Sequence, residues 1–174
     1  MNRHQLEKLN RDCIYEVYED KEETNEFYMG YIKAIFKKYI IIENYHRSGQ
    51  FDGFAIIANE NIFKVQKDTK YLEPYKNVKP PQIQMPELSS KGDTLYNFLQ
   101  WAKENKKIVE LTTVWDELII GEIDVLDDEL LSMNVLLSDD FSPDGQCFIE
   151  YESILDVCVD TLKLQFMESV VKSF

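Results

Sequence analysis

Residues 52–75, DGFAIIANENIFKVQKDTKYLEPY, can be laid on residues 144–167, DGQCFIEYESILDVCVDTLKLQFM, at a constant shift of 92. Nine of the 24 pairs are identical: Asp52/Asp144, Gly53/Gly145, Ile57/Ile149, Glu60/Glu152, Ile62/Ile154, Val65/Val157, Asp68/Asp160, Thr69/Thr161 and Leu72/Leu164. The identities fall on turn residues and on apolar positions that stay in phase, so the segments read as two copies of one unit. Upstream the shift becomes 91, where Glu26 meets Glu117, Gly30 meets Gly121 and Ile32 meets Ile123. One residue has therefore been gained or lost in the loop before Asp52 or Asp144.

Working outward, each copy has the same preface. Residues 2–12 suit a short helix with Leu6 and Leu9 on one face. Residues 94–106 suit a better one, with Asp93 as N-cap and Leu95, Phe98, Leu99 and Ala102 at three- and four-residue steps. Strand-like runs follow at 13–18, 27–36, 39–43, 53–58 and 62–65 in the first copy. In the second they fall at 108–113, 118–126, 130–137, 146–151 and 154–159. Their β-branched and aromatic residues and their alternation support strands. Residues 164–174 place Met167, Val170, Val171 and Phe174 on one helical face; a strand is the alternative there. Three domain-level segments result: a first β repeat over 1–75, a linker over 76–92 with Pro80, Pro81 and Pro86, and a second repeat over 93–174.

One helix followed by five short strands resembles the Sm-like fold, a small bent barrel. Residues 30–42 (GYIKAIFKKYIII) and 121–131 (GEIDVLDDELL) match its second strand, which opens on glycine and turns into an apolar third. Residues 56–65 (IIANENIFKV) and 148–157 (FIEYESILDV) are similar to its apolar strand, polar corner and closing strand. The resemblance implies a mainly β chain with short helices: two tandem Sm-like barrels, packed as an intramolecular pseudo-dimer. It does not carry RNA binding. The family's aspartate falls on Phe36 and Asp127, its asparagine on Ile40 and Leu131, and its arginine-glycine corner on Ala58-Asn59 and Glu150-Tyr151.

The net charge is −13 over 174 residues. Such a chain repels phosphate backbones, so nucleic acid is a disfavoured partner. The asymmetry is sharper than the total: residues 1–75 carry net −2, residues 76–174 net −11, and residues 108–162 hold 15 acidic side chains and no Lys or Arg. That window cannot neutralise its own carboxylates. Asp127, Asp128, Glu129, Asp139, Asp140 and Asp144 are the candidate docking residues for a basic protein, against the plainer reading of a solvated acidic face. Residues 140–145 begin like a calcium loop, but Tyr151 stands where a bidentate Glu is needed, and Ser142–Gly145 suits a type I turn. No metal site and no cofactor motif is expected.

Cys13, Cys147 and Cys158 are an odd count in apolar runs, read as buried thiols in a reduced cytoplasm. His4 and His46 lie in different elements, neither beside a cysteine, and no phosphate loop, serine elbow or zinc signature occurs. A non-enzymatic cytosolic interaction protein is the first reading, for instance an immunity or antitoxin-like protein that caps a basic toxin, with further oligomerisation open. The alternative is a divergent RNA-associated protein contacting phosphate through Lys33, Lys37, Lys38 and Arg47, with Tyr45 stacking nearby. An enzyme with an unrecognised carboxylate site is the third.

Overall fold

Ile40, Ile41 and Ile42 form the middle of a strand and are each 0% exposed, as a run of β-branched residues covered on both faces should be. The structure, a computed structural model, describes residues 1–19, 21, 25–76, 88, 93–115, 117–127 and 130–171. It divides into two units, Met1–Met85 and Pro86–Phe174. Of the expected 76–92 linker, only Lys76 and Leu88 fall within the described residues.

In the first unit α1 (Arg3–Leu6) precedes β1 (Ile14–Tyr18), β2 (Tyr28–Ile35), β3 (Tyr39–Tyr45), β4 (Phe51–Ala58) and β5 (Lys64–Gln66). All pairs are antiparallel, in the order β5-β1-β2-β3-β4. The helix expected over 2–12 is a single turn. Asn2 and Gln5 close a capping box at its start, and only Leu6 is fully buried, so nothing anchors a second turn.

In the second unit α2 (Thr94–Glu104) precedes β6 (Ile108–Thr113), β7 (Leu118–Leu126), β8 (Leu130–Leu136), β9 (Pro143–Glu150), β10 (Ile154–Val159) and α3 (Leu162–Val171). The order is β10-β6-β7-β8-β9, the same arrangement one unit along. Asp93 caps α2 by accepting from the N–H groups of Leu95 and Tyr96, and Leu95, Phe98, Leu99 and Ala102 are buried as their spacing predicts. The Thr161 hydroxyl accepts from Leu164 N–H at 3.2 Å and starts α3 two residues earlier than expected.

The correspondence extends to the irregularities. A bulge interrupts β2–β3 between Ile32 and Ala34, and another interrupts β7–β8 between Ile123 and Val125. Gly53 and Gly145 have φ of 81° and 80°; Asp68 and Asp160 have φ of 56° and 55°. Leu72, fully buried, closes a small core with Ile14, Met29 and Tyr45 in the first unit. Leu164 does the same with Ile108, Ile120 and Leu136 in the second. The pairings Tyr45↔Phe51 and Leu136↔Pro143 locate the extra residue: it lies in the β8–β9 loop, residues 137–142, against residues 46–50.

Two expectations are corrected. Ser142–Gly145 is not a free turn, since Pro143 already begins β9 opposite Leu136, and proline is tolerated as the first residue of a strand. Of the cysteines only Cys158 is buried; Cys13 and Cys147 are half-buried, and none of the three forms a disulfide. The strands of each unit form an open run: among the described residues no pairing joins β4 to β5 or β9 to β10.

An open acidic and apolar face on the second unit

Register decides which side chains of β7, β8 and β9 share a face, because directly paired residues of antiparallel strands project to the same side. Val125 pairs with Ser132, and Ser132 with Phe148. The next row is Glu122, Asn134 and Gln146. Leu130 and Glu150 pair on the other side of Phe148. The opposite face carries Leu126, Leu131 and Ile149, all buried.

The bulge in β7 enriches this face. Two residues of a bulged strand oppose one on its partner, so Asp124 and Val125 both reach solvent. Val125 N–H donates to Ser132 Oγ at 3.1 Å, and Gln146 Nε2 donates to Asp124 Oδ2 at 2.7 Å. Phe148 is 64% exposed and Val125 49%, among the exposed side chains of Glu122, Asp124, Asn134, Gln146 and Glu150. A depression of about 550 Å³ opens at one end, lined by Glu122, Asn134, Leu136, Pro143, Gln146 and Val171.

The first unit fills the same positions differently. Tyr31, Glu43, Phe54, Ile56 and Ala58 stand at the places of Glu122, Asn134, Gln146, Phe148 and Glu150, and all five are buried. The Glu43 carboxylate sits there as an ion pair with Lys33 at 2.9 Å and accepts from the Tyr45 hydroxyl at 2.6 Å. Burial, then that carboxylate, pushes the Tyr45 phenol above its ordinary range. In the second unit this face is left open and acidic.

The residues expected to dock a partner are dispersed. Asp127 works in the β7–β8 turn, where its Oδ1 accepts from Leu130 N–H at 2.8 Å and its carbonyl from the Tyr151 hydroxyl at 2.7 Å. Asp128 and Glu129 lie outside the described residues. Asp139 and Asp140 sit in the β8–β9 loop, at the far end of the seven-residue β8, about 20 Å away at roughly 3.3 Å per residue. Asp140 accepts from both the hydroxyl and the N–H of Ser142, which lowers its carboxyl from the ordinary value. Asp144 is exposed at the start of β9. Glu122, Asp124 and Glu150 lie between these ends and were missed. Strict alternation along β9 would have separated Phe148 from Ile149, though not told which faces inward. Among the described residues no group of three His, Cys, Asp or Glu is placed to hold a metal ion.

The alternative nucleic-acid residues do not meet either. Lys37 and Lys38 are exposed in the β2–β3 turn and Arg47 in the β3–β4 loop, again at opposite ends of a seven-residue strand. Tyr45 is 3% exposed and held by Glu43, and Lys33 is committed to the same carboxylate. Phe51 packs on Tyr45 and Phe54. No helix among the described residues is long and apolar enough to cross a membrane. No family model matches the chain, and no curated protein or solved structure matches it, so function rests on the chain's own residues.

Proposed function

We propose that the chain is a non-enzymatic cytosolic interaction protein that docks a basic protein on the β7–β8–β9 face of its second unit. The observation that carries this reading is the exposure of Phe148 and Val125 in the middle of a carboxylate-rich face, where Ile56, the counterpart of Phe148 in the first unit, is fully buried. An apolar centre with a charged rim is how protein interfaces are built. Burying Phe148 supplies up to about 2 kcal/mol. The surrounding carboxylates steer encounter and select a cationic partner. Lys107 pairs with Asp160 and Lys163 with Glu110, so the cations that flank the acidic window of residues 108–162 are already engaged. A small acidic protein that occludes a basic toxin or nuclease is one form this takes. We read each unit as an Sm-like small barrel, supported by a leading helix followed by five antiparallel strands in the same order in both.

The test is affinity capture from native extract with the full chain and with a Phe148→Ser, Glu150→Lys double variant. The expected result is one basic protein retained by the native chain, released as salt rises, and not retained by the variant. Equal retention by both would place the docking elsewhere.

A further inference from the structure

The outer side of β9 is unpaired: the strand ends the order of its sheet among the described residues. Its backbone polarity can be read from the neighbouring turn. Asp127 N–H donates to Leu130 O, so Leu130 and Ser132 turn their backbone groups toward β7, and Leu131 and Met133 turn theirs toward β9. Leu131 pairs with Ile149 and Met133 with Cys147, so those two residues bond inward. The N–H and C=O groups of Gln146, Phe148 and Glu150 therefore point outward. Residues 146–150 contain neither proline nor lysine, two of the devices that blunt an edge.

We propose that the basic partner binds by adding an extended segment as a further strand along residues 146–150 of β9. This rests on the docking reading and specifies its occupant. Main-chain bonds to the outward groups supply affinity, and the alternation of β9 sets the pattern. The side chain opposite Glu150 faces its carboxylate and is basic; the one opposite Gln146 lies beside the Gln146–Asp124 hydrogen bond, on the acidic side of the sheet, and is basic as well. The side chain opposite Phe148 is apolar and covers that ring. Those opposite Cys147 and Ile149 extend the buried face and are also apolar. The motif is basic, three apolar residues, basic.

The probe is a short synthetic peptide centred on Lys-Val-Ile-Val-Lys, added at low salt to the full chain. Amide exchange at Gln146, Phe148 and Glu150 is expected to slow by about tenfold or more, while Cys147 and Ile149, already bonded, change little. Gln146→Pro, which removes an outward donor at an edge position that tolerates proline, is expected to weaken the peptide at least about tenfold. Gln146→Ala, which keeps the donor, should stay within about twofold. If the peptide binds without slowing those amides and survives Gln146→Pro, strand addition is overturned and docking on the face remains. If the peptide fails to bind the native chain, strand addition is overturned, and the docking reading stands or falls on its own capture experiment.

Discussion

Phe148 in β9 stands at the position Ile56 holds in β4, one unit along, and the two meet opposite surroundings: Ile56 is 0% exposed and Phe148 is 64% exposed. Stability should register the difference. Ile56→Ala leaves a cavity and should cost about 2–5 kcal/mol. Phe148→Ala removes an exposed ring and should change stability by no more than about 0.5 kcal/mol. Urea unfolding of the two variants checks both, and a large loss at Phe148 would mean that this face is packed.

Gly30 and Gly121 make a second paired prediction. A Cβ at Gly30 would collide with the carbonyl oxygen of Glu43, and one at Gly121 with that of Asn134. The obstacle is backbone on the neighbouring strand and cannot rotate away, so each Gly→Ala change should cost about 3 kcal/mol, the upper range for overpacking. Gly145→Ala meets no atom within 4 Å and carries only the strain of φ +80°, about 1 kcal/mol. Equal losses at all three would contradict the close approach of β2 to β3 and of β7 to β8.

Tyr18 in the first unit should make stability fall at alkaline pH. Burial, followed by its hydrogen bond to Glu16, pushes the Tyr18 phenol up to about 12. A raised folded-state pKa means that the native chain holds the proton more tightly than the unfolded one. Its contribution is fully present below about pH 10, the unfolded value, and is lost as pH rises toward 12. Tyr18→Phe should flatten the fall in stability across that window. Denaturant midpoints measured from pH 9 to pH 12 in both proteins would show it, and parallel curves would contradict the buried hydrogen bond.

Much of the architecture was legible because the two matched segments could be read against each other, element by element. β6, β7 and β10 fall on their expected bounds; Glu117 and Asp127 bracket β7, and Ser153 and Asp160 bracket β10, which leaves those two strands little latitude. The length of α1 was not legible: Leu9 has helical spacing from Leu6, but only Leu6 is fully buried, and periodicity does not report depth. The strand expected over 62–65 is displaced to Lys64–Gln66 because Ile62 packs, fully buried, before the ladder begins. The candidate site was legible in its charge and not in its geometry. Clusters of adjacent carboxylates drew attention to the ends of β8, whereas Glu122, Asp124, Val125, Phe148 and Glu150 meet only through cross-strand register and a bulge. A single strand pattern fixes neither.

The most direct test of the docking face compares two charge-reversed proteins against the captured basic partner. One carries Glu122→Lys, Phe148→Ser and Glu150→Lys in the second unit, the other Lys37→Glu, Lys38→Glu and Arg47→Glu in the first. Losing a central aromatic anchor costs about 2 kcal/mol or more, so the second-unit variant should weaken binding at least about 30-fold at low salt, and the first-unit variant by no more than about twofold. The reverse pattern would contradict the account and place recognition on the basic loops of the first unit.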